Sequence, residues 1–225
     1  MSKILLKWLN YLKPNFKVLS AKERGLSTLG ALLGLMLSSL ICWYFLRGIN
    51  PWYIAPMGAS SVLLFAVSSS PLAQPWNMLV GNLIAAIIGV SCALWIQNLS
   101  LALSIAVSIA IFLMMTTDSL HPPSGAVAMT AVLGGDAVHN LGYYFVLYPV
   151  LLNSVLLLGL AIIFNRLVGR HYPQPAQINQ RSSAPTPTQK VTIQPKDIEY
   201  ALEHHAELLD ISQYDLESII LEAQQ

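Results

Sequence analysis

Asp118-Ser119-Leu120-His121-Pro122-Pro123-Ser124-Gly125-Ala126 is the stretch on which the reading of this chain turns. Between Arg24 and Arg166 the only formal charges are Arg47, Asp118 and Asp136, so an acid and a histidine beside a double proline stand in an otherwise uncharged setting. In such a setting an ionisable group is a functional-site candidate. Pro122 and Pro123 cannot continue an incoming helix, whereas Ser124 and Gly125 suit the start of a new one. The stretch reads as a helix broken within an apolar region.

The surroundings bear this out in composition. The chain has 225 residues, 55% hydrophobic and 10% charged, with mean hydropathy +0.57. That excludes an ordinary soluble domain and allows several membrane spans. Lys3, Lys7, Lys13, Lys17, Lys22 and Arg24 precede the first apolar stretch and most acids follow residue 196, an asymmetry that speaks to membrane orientation rather than to nucleic acid. Cys42 and Cys92 sit in apolar segments and read as packed, inert thiols. The first twenty-five residues show no signal-peptide core followed by a small-residue cleavage site, so the N-terminus is expected to be retained.

Four apolar stretches approach the roughly twenty residues a spanning helix needs: about 26–46, 78–96, 99–115 and 143–165. Only Gln97 and Asn98 separate the second from the third, which makes those two an antiparallel hairpin. Small residues recur on single faces, as in Gly30 and Gly34, Gly81, Ala85 and Gly89, and Ser104 and Ser108, and read as close helix packing. Two shorter apolar pieces, about 56–67 and 123–134, would each reach only ~18 Å as helices. Both open alike, with Pro56-Met57-Gly58-Ala59 against Pro123-Ser124-Gly125-Ala126. The fold class is therefore an all-α membrane protein: four transmembrane helices plus two proline-broken half-helices in an internal duplication. Paired interrupted segments of this kind are the best sequence pointer to a transport site. The bland alternative is a pair of re-entrant hairpins that plug the bundle. A three-plus-three arrangement, in which the short pieces cross with help from their flanks, fits the pattern equally well.

Outside that region, residues 1–25 form a basic amphipathic segment for the surface of the lipid bilayer, with Ile4, Leu5, Trp8, Leu9 and Leu12 on one helical face. Residues 171–194 read as a disordered linker, and 195–225 as a short acidic helical hairpin with a capping box at Ser212 and Asp215. His204 and His205 there are adjacent and do not face a common point, so they are expected at the surface. The flanking basic residues place both termini in the cytoplasm of a multi-pass protein of the cell (inner) membrane.

At His121-Pro122-Pro123-Ser124-Gly125-Ala126 the chain resembles the HPP family of integral membrane proteins. The resemblance extends to Pro56-Met57-Gly58-Ala59-Ser60-Ser61, to Ala73-Gln74-Pro75-Trp76-Asn77 and to Gly81, and covers about residues 20 to 170. It implies an HPP-type transmembrane domain, 26–170. Through plastid and cyanobacterial-type members it also implies transport of a small inorganic anion, with nitrite the leading substrate. The chemistry of the residues is compatible. Half-helices starting near Gly58 and Ser124 would offer unpaired backbone N–H groups and partial positive charge to one site. The candidate substrate-binding set is Pro56, Gly58, Ala59, Ser60, Ser61, His121, Pro122, Pro123, Ser124, Gly125 and Ala126, with Asn77, Asn82 and Asn153 as supporting groups. Asp118 and His121, three residues apart, form a candidate proton-coupling pair. No cofactor is expected, and the chain has no Gly-x-x-x-x-Gly-Lys phosphate loop. Four spans are few for an enclosed path, so a homodimer is expected.

Other readings compete. Asp118 with His121 and Asp136 with His139 repeat an Asp-x-x-His spacing that could present ligands to a divalent metal, as in a metal transporter or intramembrane metalloprotein. Against this, Gly134-Gly135-Asp136 looks like an exposed turn. Ser124 near His121 and Asp118 lacks the elbow motif of a serine hydrolase, and no enzymatic activity is expected. A non-transporting assembly or sensor protein acting through its tail is a further class.

Overall fold

A computed structural model describes residues 20–45 and 55–174, and every regular element among them is helical. Residues 1–19 of the amphipathic segment, Arg47, the acidic tail and all but the head of the expected linker lie outside the described residues. The elements are α1 (Ala21–Phe45), α2 (Pro56–Ala66), a single 3₁₀ turn (Pro71–Ala73), α3 (Pro75–Trp95), α4 (Leu99–Thr116), α5 (Pro123–Leu133), α6 (Gly135–His139) and α7 (Leu152–Leu167). A wide helical turn, Val146–Leu151, leads into α7. Four segments are long and apolar enough to cross a membrane: Ala21–Tyr44, Pro75–Trp95, Leu99–Thr116 and Val146–Leu167.

Local chemistry sets the boundaries. α2, α3 and α5 each carry proline in the first turn, where its missing N–H costs nothing. Asn98 caps α4 by accepting from Leu101 N at 3.0 Å. α4 ends on Asp118, whose φ of +50° lets Ser119 N return to Met114 O at 2.8 Å. This is a left-handed helix stop, a conformation that aspartate tolerates better than most residues. Gly169, at φ +82°, ends α7 in the same way and turns Arg170 back over the bundle.

Bonds between distant residues give each helix its direction. Arg170 reaches Glu23 Oε2 at 2.6 Å and Ser27 Oγ at 3.2 Å near the start of α1. Tyr172 donates to Ala73 O just before α3, and Trp76 Nε1 donates to Thr117 O just after α4. The starts of α1 and α3 and the ends of α4 and α7 thus share one face, called here the terminal face. At the opposite face Cys42 Sγ donates to Asn153 Oδ1 at 3.3 Å, and Ser91 pairs with Tyr143. Because α1 and α3 run the same way, the chain between them must return. α2 makes that return, with Leu64 O and Phe65 O at its end held by Asn165 and Arg170 at the terminal face. α5 correspondingly runs parallel to α3, with Ser124 beside Gly81 and Ala131 beside Gly89.

Each short helix has 11 residues, ~16 Å of rise, and the two run in opposite directions. α1, α2 and α3 repeat as α4, α5 and the fourth span with opposite orientation, an inverted-topology repeat. Exposed Trp43, Tyr44, Trp95, Tyr143 and Tyr144 gather at the opposite face, as an aromatic belt at a membrane boundary does.

Two expected boundaries move. The first span starts at Ala21 rather than near residue 26, because Glu23 is bound by Arg170 inside the helical unit. The expected linker begins later than residue 171. Tyr172 is buried and donates to Ala73 O at 2.7 Å, and Gln174 N donates to Gln74 Oε1, so 171–174 are packed against the domain. Burial also pushes the Tyr172 phenol up from its ordinary value, which keeps it a donor.

Arg170 joins three helices: α1 through Glu23 and Ser27, α2 through Phe65 O at 2.7 Å, and α7 through Asn165 Oδ1. Glu23→Gln removes only the charge of a partly exposed pair and should cost about 1 kcal/mol. Arg170→Ala also leaves the α2 carbonyl unpaired and should cost about 2–3 kcal/mol. Thermal melting in detergent would order the two. Equal effects would mean that the ion pair, not the carbonyl, is what matters.

Candidate functional site

The interior contains a file of buried polar side chains. His121 has no solvent exposure; its Nε2 lies 3.0 Å from Ser60 Oγ on α2, and its Nδ1 3.0 Å from Leu72 O. A carbonyl can only accept, so in the neutral ring Nδ1 carries the proton and Nε2 accepts from Ser60. Ser124, three residues on, donates to Asn82 Oδ1 at 2.7 Å, and Asn82 Nδ2 donates to Ser154 Oγ at 2.9 Å. Asn153, adjacent to Ser154, accepts from Cys42 Sγ and donates to Pro149 O at 2.9 Å. The file runs from Leu72 near the terminal face to Cys42 near the opposite face and draws on both repeats.

Gly81 allows this geometry. A Cβ there would lie 2.8 Å from Ser119 O, 3.0 Å from Ser124 Oγ and 3.1 Å from His121 Cβ. The glycine lets α3 approach the broken stretch closely enough for Asn82 to reach Ser124. Asn77 serves the same junction by donating to Leu120 O at 3.0 Å.

The candidate residues divide by environment. Pro56, Ser60, Ser61, His121, Pro123 and Ser124 are buried, Gly58 and Gly125 are half-buried, and Ala59, Pro122 and Ala126 are exposed. The structure brings Ser60 to His121. Ser61 turns instead onto its own helix, donating to Gly58 O at 2.7 Å. Near the starts of the two short helices, Ser60 Oγ of α2 lies 3.0 Å from Nε2 of His121, which precedes α5. Pro56 and Ala59 line one open groove of about 370 Å³ together with Ala126 from the first turn of α5 and Leu133 and Gly134 from its end. Free donors are also fewer than expected at α5. Pro122 and Pro123 have no N–H, and Ser124 N and Gly125 N bond to His121 O and Pro122 O. What the structure concentrates is side-chain donors and acceptors along the file.

Asp118 and His121 are close in sequence but separate in environment, one exposed and the other buried with both ring nitrogens on protein oxygens. No ion pair joins them among the described residues. The metal alternative does not assemble either. Asp136 and His139 lie on α6 beyond the end of α5, His139 Nε2 bonds Val132 O at 3.0 Å, and among the described residues no three His, Cys, Asp or Glu come together.

Ser154, Leu72 O and the bend before α7 have no counterpart in the sequence reading. Ser154 is one of several serines in apolar helices, and its pairing with Asn82 spans 72 residues of chain. The bend does carry a signal, Pro149 inside an otherwise apolar run.

Comparison with known proteins agrees with this architecture. Two transmembrane proteins of Dictyostelium discoideum are similar to the chain. One is 38% identical over 125 residues, covering 53% of this chain and 44% of that protein. The other is 33% identical over 158 residues, covering 68% and 50%. The chain thus spans about half the length of these curated relatives. No solved structure matches it. The family model for the HPP transmembrane region matches residues 17–173, which takes in both inverted repeats and the whole polar file, and the chain belongs to the HPP transmembrane family.

Proposed function

We propose that this protein moves a small, singly charged inorganic anion across the membrane, with nitrite the first substrate to test, along the path marked by the polar file. The observation that carries the reading is the file itself: buried Ser60, His121, Ser124, Asn82, Ser154 and Asn153 in a bundle whose interior holds no formal charge among the described residues. Polar groups at membrane depth are costly and mark solute paths. Inverted repeats with interrupted segments are the architecture in which such paths recur. A file of hydroxyls, amides and one imidazole offers donors to an anion without the fixed cation that would trap it.

Lys22, Arg24, Arg166 and Arg170 at the terminal face favour placing that face in the cytoplasm, in a cell membrane. Proton coupling through Asp118 or His121 belongs to the same proposal, as does a homodimer.

The test is nitrite uptake into proteoliposomes, with and without an inward proton gradient. The expected result is saturable uptake that other small oxyanions inhibit. Ser124→Trp, which obstructs the file beside Asn82, should reduce it to the level of empty vesicles. Uptake that never saturates, or that survives Ser124→Trp in folded protein, would refute the path.

A further inference from the structure

The fourth span is interrupted at the opposite face. Tyr148 has φ −139° and ψ 116° inside the turn Val146–Leu151, an extended residue between helical neighbours, and Pro149 follows it. A break of this kind at the end of a span is tolerated where the backbone is buried in protein or lines a cavity. A tyrosine near a membrane boundary ordinarily sets its hydroxyl among the lipid headgroups. Here the hydroxyl is turned inward and buried. It is the one buried side-chain nitrogen or oxygen among the described residues that has no hydrogen-bond partner.

Its surroundings are rich in donors. Tyr148 and Asn153 stand on either side of Pro149 at the same bend, and the Cys42 thiol donates to Asn153 Oδ1 at 3.3 Å. Asn153 Nδ2 gives one hydrogen to Pro149 O, and its second hydrogen makes no bond among the described residues. Among the described residues the bend thus holds two unused donors, Tyr148 O–H and one Asn153 N–H, at the end of the file. An orphaned buried donor has a cost that a bound acceptor removes. Two neutral donors suit an acceptor that is small and singly charged.

We infer that Tyr148 and Asn153 form the anion-accepting end of the file, contacting one oxygen of a small oxyanion as it enters or leaves at the opposite face. The inference rests on the transport reading above and adds to it a specific contact and a specific face. Tyr148 is a binding residue here, and Pro149 with the extended backbone at 148 is what turns its hydroxyl inward.

The experiment compares the full chain with Tyr148→Phe in nanodiscs, measuring melting temperature against increasing nitrite, nitrate and formate, and nitrite uptake in proteoliposomes. The hydroxyl has no hydrogen bond to lose, so Tyr148→Phe should melt at or above the parent temperature without anion. With anion, its half-saturating concentration should rise at least tenfold while maximal uptake stays within twofold. Asn153→Leu should weaken anion binding as well. Identical half-saturation in Tyr148→Phe and the parent would overturn the proposal, since the hydroxyl would then be idle or hold only water. Failure of all three anions to raise the parent's melting temperature would overturn it too. Anion binding that depends on Tyr148 in a protein that does not carry nitrite would uphold the site and refute the nitrite reading.

Discussion

Gly89→Leu is expected to leave no folded protein. A Cβ at this position would lie 2.7 Å from Ala128 O, 2.7 Å from Ala131 Cβ and 3.0 Å from Ala128 Cα. Two of these atoms belong to the α5 backbone and the third is a methyl fixed to it, so none can swing aside as a long side chain would. Relief requires α3 and α5 to separate. α5 is tied through Ser124 to Asn82, so separation at Gly89 strains the polar file as well. Even Gly89→Ala should cost about 2–3 kcal/mol, at the upper end of what overpacking usually costs. Leucine adds three more carbons against the same wall, and the cost then approaches the ~5–15 kcal/mol total stability of a typical domain. Gly159 is the control, since a Cβ there meets nothing within 4 Å. Gly159→Ala should express and melt as the parent does, whereas Gly89→Leu should give no monodisperse peak on size-exclusion chromatography. A normal peak for Gly89→Leu would mean that the α3–α5 contact is looser than described.

The same two helices show how far the sequence carries and where it stops. Gly81, Ala85 and Gly89 announce a close approach because small residues recur on one helical face, and in lipid that pattern has one main use. The short helices are legible for a related reason: proline fixes their first residues and hydropathy fixes their length, so 56–67 and 123–134 fall within a residue of Pro56–Ala66 and Pro123–Leu133. Direction is not legible in this way. An 11-residue apolar helix has the same composition whether it crosses or re-enters, and only the bonds of Arg170, Tyr172 and Trp76 reveal that α1 and α3 run alike. For this reason the antiparallel course of the two short helices is visible only in the structure. Asp118 illustrates a second limit. Its charge draws a functional reading, and its left-handed backbone and exposed side chain show that it also terminates α4, a structural role that composition cannot separate from chemistry. The file itself was half legible: His121, Ser60, Ser124, Asn82 and Asn153 were candidates as single residues. Their connection through Ser154 and Leu72 O depends on contacts across tens of residues, which no local pattern encodes.

His121→Leu is expected to act on both stability and transport in protein that still folds. Leucine is close to the imidazole in size, so the loss is mainly of hydrogen bonds rather than of volume. It strands two buried groups: the Ser60 hydroxyl on α2 and Leu72 O in the turn before α3. At about 1–3 kcal/mol for each of the two unsatisfied groups, the expected cost is about 2–6 kcal/mol, with uptake lost. Adding Ser60→Ala removes one stranded group, so the double variant should recover about 1 kcal/mol relative to the sum of the two single losses. Additive losses would mean that Ser60 and His121 do not share the bond described. His121→Gln then distinguishes structure from conduction. A carboxamide supplies one donor and one acceptor, as the neutral ring does, and can bridge Ser60 and Leu72 O without an imidazole. If His121→Gln restores the melting temperature and also the uptake, His121 is a keystone that ties α2 to the turn before α3. If it restores the melting temperature while uptake stays lost, the imidazole takes part in the path, because the helices would be correctly held and only the ring would be missing.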